Sequence, residues 1–154
     1  MWQGELLQIH TSPAAGLNME SHKSASLISG SGIEGDRYQR GTGKYSDIKD
    51  IREVTLIEIE TLEALKRDHD ITLKPAEHRR NLTTRDVPLN HLVGKRFRVG
   101  EVVLLGGRLN TPCLYLNLVT QKDVCDLLEH RSGLNCSILK SGKVTIGDTI
   151  KLSY

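Results

Sequence analysis

Cys113 stands directly after Pro112 in the stretch GGRLNTPCLYL, Gly106–Leu116. A proline closing a Val/Leu-rich run stops strand pairing and fixes the backbone, so the thiol sits on a rigid corner. Held there, it can be a nucleophile or a soft metal ligand, because the thiolate is the reactive form. It can equally be a small core residue, since free cysteine is among the most buried residue types. Two features favour the reactive role. Pro112 places the sulfur at an element boundary, and the polar Asn110 and Thr111 before it suit an opening. Cys125, beside an apolar helical stripe, and Cys136, in a terminal strand, read as packing residues.

A second candidate is HRRNLTT, His78–Thr84. In an extended segment Arg79 and Arg80 point to opposite faces; a bend would let both converge. Arginine offers a planar, permanently charged fork that fits phosphate or carboxylate. Asn81 and Thr83 add short polar groups, and the alternative is a solvated edge strand. A third is GSGIEGDRY, Gly30–Tyr38. Its glycines permit close backbone approach, Asp36 can cap a backbone, and Arg37 can reach an anion. It lacks the GK[ST] ending of a phosphate loop. Neither GxSxG nor HExxH occurs. His10, His22, His69, His78, His91 and His130 have no metal-ligand spacing and read as surface or packing residues.

These groups need elements to hold them. A strand is predicted over about Gln3–His10 and a short one in SASLIS. Gly30–Asp47, with five glycines and few apolar residues, is predicted as loop, and loops of that length are usually functional. REVTLIEIETLEALKRDH (Arg52–His69) starts as a strand and turns helical, with Ile59, Leu62 and Leu65 spaced by three. Arg79–Thr84 and Arg96–Gly107 read as strands, the latter a hairpin turning at Val99-Gly100-Glu101. Thr120-x-x-Asp123 resembles a capping box opening a helix with Val124, Leu127 and Leu128 on one face, ending near Gly133. The tail reads as short strands turning at Ser141-Gly142 and Gly147-Asp148. Many short strands, two helices and no strict βαβ alternation predict a mainly β, barrel-like fold with helical insertions, as one domain over 1–154.

Composition narrows the function classes. The chain has 154 residues, with 21 basic and 19 acidic side chains interspersed, a net charge of +2. That balance argues against nucleic acid or a membrane surface as partner. With one Trp, one Phe and four Tyr, the core must be Leu, Ile and Val. Three cysteines without a CxxC pair fit neither a disulfide framework nor a zinc knuckle. The start MWQGELLQIH does not read as a signal peptide, and no apolar stretch approaches about 18 residues. The expectation is a soluble cytoplasmic protein with free thiols.

GIEGD (Gly32–Asp36), REVTLIEIETLEAL (Arg52–Leu65), RRNLTT (Arg79–Thr84), LNHLVGKRFRVGEVVL (Leu89–Leu104), TPC (Thr111–Cys113) and RSGLNCSILKSGKVTIGD (Arg131–Asp148) occur in this order. Together they resemble the MOSC domain family, named for the C-terminal domain of molybdenum cofactor sulfurase. The resemblance runs across nearly the whole chain. It implies a barrel similar to that of pyruvate kinase, and a role with molybdenum cofactor (molybdopterin) or with carriage of abstracted sulfur. It makes Cys113 the sulfur carrier or molybdenum ligand. It makes Arg79, Arg80 and Asn81 the holders of cofactor phosphate and pterin, with Thr83, Asp36 and Arg131 as further binding residues. Arg131 and Gly133 match the family's late arginine-glycine pair with one residue between.

One departure is Arg37-Tyr38 after the Gly-Asp, where many relatives carry histidine. The pyridoxal-phosphate desulfurase domain of the full sulfurase and the N-terminal barrel of amidoxime-reducing relatives are not in this sequence. Pyridoxal phosphate would therefore enter only through a partner cysteine desulfurase, and electrons only through a partner reductase. The function expected is a sulfurtransferase or a component of a molybdenum-dependent reductase. The alternatives are a non-catalytic module that delivers cofactor to a partner enzyme, and a barrel that has lost its cofactor. Arginines gathered at Cys113 would favour its thiolate and hold a phosphate, so one basic pocket could serve both tasks.

Overall fold

A computed structural model describes residues 1–154. The apolar runs form β1 (Gly4–Thr11), β2 (Glu20–His22), β3 (Ser24–Ile28), β4 (Gly32–Ile33), β5 (Val54–Glu58), β6 (Leu82–Arg85), β7 (Arg96–Val99), β8 (Val102–Leu109), β9 (Leu134–Lys140), β10 (Gly142–Thr145) and β11 (Thr149–Leu152). Three helices interrupt them: α1 (Arg37–Arg40), α2 (Ile59–His69) and α3 (Leu114–Thr120). Seven strands close a barrel in the order β1-β11-β7-β8-β9-β5-β6, with β6 returning to β1 and β2 appended outside β1. Closure leaves those strands no free edge. Only β5 and β6 are parallel, and α2 lies in the crossover between them. The expectation of a barrel with helical insertions holds.

Side chains alternate along each strand, so one set fills the barrel. Leu6, Ile9, Leu56, Leu82, Phe97, Val99, Leu104, Leu134, Ile138 and Ile150 form its interior, joined by Leu27, Ile33 and Val144 from the small sheet β10-β3-β4. Cys136 lies in this interior, where burial pushes its thiol well above the usual range, so it is a packing residue. A second cluster lies outside: Leu62 and Leu65 of α2 meet Leu116 of α3 with Val124 and Leu128. It anchors α3, and through α3 it fixes the residue that precedes it, Cys113.

Three expectations change. Gly30–Asp47 is not all loop, because Gly32–Ile33 pairs with β3 and Arg37–Arg40 makes one helical turn capped by Asp36. The strand expected from Arg79 starts only at Leu82. The helix expected after Thr120 is replaced by α3 before it, and Asp126–Leu128 forms a single 3-10 turn. Thr120 Oγ1 donates to the Leu116 carbonyl and accepts from the Lys122 N–H, which closes α3 and leaves no cap for a following helix. No helix is long and apolar enough to cross a membrane.

Candidate functional site

A cavity of about 320 Å³ opens at the rim where β5 and β6 begin, β8 ends and β9 begins. After Leu109 the chain leaves the sheet. The Asn110 N–H donates to the Gly133 carbonyl at 2.8 Å, and Pro112 then directs the chain away. Cys113 follows in extended conformation as the N-cap of α3, half-buried on the cavity wall. Its Sγ lies 2.8 Å from Tyr45 Oη. That contact and burial push the Tyr45 phenol up to about 12, so the hydroxyl stays protonated and is able to donate to the sulfur.

Arg79 and Arg80 both line the cavity. The bend that lets adjacent side chains converge is a left-handed backbone at Arg79, φ 63°. Such a conformation is strained for a residue with a Cβ. Arg80 is held on every side by neutral acceptors. Its Nε donates to the Ser132 carbonyl (3.0 Å), Nη1 to the His78 carbonyl (2.8 Å), and Nη2 to Asn110 Oδ1 (2.7 Å) and Ser132 Oγ (2.6 Å). No carboxylate pairs with it or with Arg79 among the ion pairs of the chain. Burial, with Arg37 nearby, lowers the Arg80 guanidinium to about 10, and it is a cation at neutral pH. Arg79 donates through Nη1 to the Leu17 carbonyl, while its Nη2 is buried without a partner. An orphaned buried donor of this kind calls for an acceptor.

Arg37, Lys44, Arg52 and Arg108 complete six cations on the wall, against Asp50 as the one wall carboxylate. Asp36 lies behind the wall, fully buried, where it pairs with Arg37 at 3.1 Å and accepts from the Ser12 and Tyr38 N–H groups. Arg37 Nη2 in turn donates to the Arg79 carbonyl at 2.8 Å. Tyr38, Tyr45 and Tyr115 add aromatic faces, with Arg52 near the Tyr38 ring (5.4 Å) and Lys44 near that of Tyr115 (5.2 Å). The cavity thus combines a soft sulfur, surplus positive charge and flat apolar surfaces. It suits a planar anion with a thiophilic end.

The predicted residues divide cleanly. Cys113, Arg79 and Arg80 meet at the cavity. Asp36, Asn81, Thr83 and Arg131 are off its walls. Asn81 is fully buried and joins β5 to β1, with Oδ1 accepting from the Thr55 N–H and Oγ1 and Nδ2 donating to the His10 carbonyl. Thr83 is fully buried against His78. Arg131 Nε donates to the Leu127 carbonyl on the far side of the Ser132 turn. The wall residues that sequence reasoning passed over are Tyr38, Lys44, Tyr45, Asp50, Arg52, Arg108 and Tyr115. The only signal for them was local: three of the four tyrosines fall there, two within the long glycine-rich stretch.

His78 explains how Arg80 is aimed. It is fully buried, its Nδ1 accepts from the Arg80 N–H at 2.8 Å, and its Nε2 meets Thr83 Oγ1 at 3.1 Å. That leaves Nδ1 unprotonated and the ring neutral. Burial first, then Arg80 and His10, push its pKa well below the usual 6.5. His10, with its ring edge-on to His78, is lowered by burial and by His22. Below pH 6.5 the unfolded chain binds protons that the native protein refuses. The sign is therefore loss of stability as pH falls through 6.5, with no contribution above it. His78, lowered well below 6.5, should remove about 1.4 kcal/mol per pH unit, or about 4 °C of Tm, and His10 adds in the same direction. Melting curves from pH 7.5 to 5.5 should show this slope, and His78→Gln should reduce it. A flat profile in the wild type would contradict the neutral His78.

The MOSC domain model matches residues 44–151. The chain belongs to the MOSC domain family. This family is generally associated with molybdenum cofactor and sulfur transfer. Among curated proteins none matches this chain in sequence. Solved structures share the barrel. The YuaD protein from Bacillus subtilis superposes with a TM-score of 0.81 at 18% identity, covering 97% of both chains. YiiM from Geobacillus stearothermophilus gives 0.72 at 11% identity, over 98% of this chain and 75% of its own. YiiM from Escherichia coli gives 0.69 at 20% identity, over 100% of this chain and 70% of its own. At such identities the likeness is one of fold. The MOSC model begins at Lys44, so it spans the cavity residues from Lys44 to Asn135 and leaves the α1 turn outside.

Proposed function

We propose that this cavity binds the molybdenum cofactor and that the Cys113 sulfur is its reactive end, as a ligand to the metal or as the carrier of a sulfane sulfur. The observation that carries the proposal is that Cys113 shares one cavity with Arg79 and Arg80, two guanidinium groups without carboxylate partners. The residues fit the cofactor. Arg79 Nη2 is a buried donor in want of an acceptor, as a phosphate oxygen would be. The tyrosine faces suit a pterin ring. No group of three or more His, Cys, Asp or Glu side chains converges anywhere, so the protein offers a metal one thiolate and the cofactor brings the remaining ligands. Once bound, the cofactor supplies metal-centred chemistry. Arg79 and Arg80 hold its anionic end, Tyr45 orients the sulfur, and Asp36, Asn81 and Thr83 act behind the wall by fixing Arg37, β6 and His78.

As a carrier, the Cys113 thiolate attacks the outer sulfur of a persulfide on a partner cysteine desulfurase. The S–S bond of the donor breaks, its thiolate leaves, and Cys113 becomes the persulfide, with no net electron change. Pyridoxal phosphate belongs to that partner. A reducing cytoplasm suits the three free thiols.

Protein expressed with cofactor supply should retain molybdenum and pterin. Cys113→Ser should lose the metal, or lose sulfane sulfur on cyanolysis while keeping it. A serine variant unchanged in molybdenum, pterin and sulfane sulfur contradicts a reactive Cys113. If the same variant is unchanged while Arg79→Ala and Arg80→Ala lose pterin, the protein is a cofactor-delivery module instead.

A further inference from the structure

The Asp50 carboxylate holds two guanidinium groups from different parts of the barrel. Arg108, on β8, reaches it through Nε at 3.0 and 3.1 Å, and Arg52, just before β5, reaches it at 3.3 Å. We propose that Arg52 and Arg108 form a second anion subsite at the cavity mouth, for a phosphate or carboxylate group of a ligand, and that Asp50 is a tethered stand-in which such a group displaces.

Three observations support a stand-in over a brace. First, the arrangement is that of a bound ligand: a fork of Arg108 nitrogens on a carboxylate, with a second cation on the same oxygen. The Arg108 hydrogen bonds hold the Asp50 carboxyl at about 2, so it is an anion at any working pH. Second, the segment that carries it is irregular and is tied mainly by side chains, Asn135 Nδ2 donating to the Ile51 carbonyl at 2.9 Å and Arg52 Nη1 to the Tyr45 carbonyl at 2.7 Å. Residues 41–53 contain no helix or strand, and the flanking Ile48 and Ile51 are 59% and 37% exposed. Apolar side chains left in water contribute little to hold a segment in place. Third, a ligand can reach the pair, since the Asp50 and Arg108 side chains are 28% and 38% exposed. Arg52 meanwhile keeps a buried Nε without a partner. With Arg79 and Arg80 deeper in the cavity, the wall would then meet anionic groups at two places.

The inference deepens the reading of the cavity as an anion site, and inorganic probes separate the two. Titration calorimetry with pyrophosphate, and with malonate as the carboxylate arm, should show Asp50→Asn binding about fivefold tighter than wild type, the change for about 1 kcal/mol. The gain should vanish in Asp50→Asn with Arg108→Gln. It should be absent in Asp47→Asn, which makes the same charge change outside the cavity. A gain with only one probe assigns the subsite to phosphate or to carboxylate. In the wild type, pyrophosphate should speed tryptic cleavage after Lys49 as Asp50 is released. No gain in Asp50→Asn, an equal gain in Asp47→Asn, or an Asp50→Asn chain that fails to fold would each overturn the subsite. Retained molybdenum and pterin would leave the cofactor reading standing in that case. A gain with no pterin retained would do the reverse.

Discussion

Replacing Arg80 with methionine is expected to weaken binding of anionic ligands roughly ten- to hundredfold, the range for one charge-assisted hydrogen bond in a desolvated site. Arg80 is a half-buried cation whose partners are all neutral: the carbonyls of Ser132 and His78, Asn110 Oδ1 and Ser132 Oγ. Its charge has no anion to balance it, which costs stability in the resting protein. Methionine removes that cost but leaves the acceptors of the buried Ser132 and His78 unpaired, so Tm should fall by more than about 3 °C while the fold is retained. Arg80→Lys should not restore binding, because a point charge cannot span the acceptors that the fork spans. Calorimetry with pyrophosphate beside a melting curve checks both halves. Affinity unchanged in Arg80→Met would mean that the charge faces no ligand.

Gly133→Ala should cost more than about 4 kcal/mol and lower Tm by more than about 10 °C, or leave no soluble protein. Gly133 has φ 109°, and an added Cβ would lie 2.0 Å from the Leu56 carbonyl oxygen of β5. The two strands cannot separate to make room, because Leu56 and Leu134 pair directly and both are fully buried. The same residue sets the site. Its carbonyl accepts from Asn110, and its neighbour Ser132 makes two of the Arg80 contacts. An alanine variant that melts within about 3 °C of wild type would show that the close approach relaxes at little cost.

The strands were legible where the chain alternates and turns on glycine. The β7–β8 hairpin turns at Gly100, φ 57°, and β10 and β11 lie on either side of the turn predicted at Gly147-Asp148. Period-three spacing marked α2 because Leu62 and Leu65 face the outer cluster. α3 was missed because LYLNLVT is rich in residues common to strands, and only its contact with α2 through Leu116 selects the helix. Arg79 and Arg80 were visible as a pair, but their convergence depends on one left-handed residue with no glycine or asparagine to announce it. Asp50, Arg52 and Arg108 gave no signal, and Tyr45 only its place in the glycine-rich stretch, since the fold alone brings residues 45 and 113, or 50 and 108, into contact. Arg131 illustrates the converse. It matches a motif, yet its neighbours Ser132 and Gly133 make the contacts to the cavity framework.

The central claim is that the Cys113 sulfur faces surplus positive charge. Alkylation of the same protein by iodoacetate and by iodoacetamide, with modification at each cysteine quantified by mass spectrometry, tests it directly. Cys125 is the internal reference, half-buried and close to Asp123 and Asp126. The anionic reagent should be favoured at Cys113 over Cys125 by about tenfold relative to the neutral one, and about 1 M salt should erase most of the difference. Equal reagent preference at the two cysteines, unaffected by salt, would contradict the cationic cavity and the function built on it.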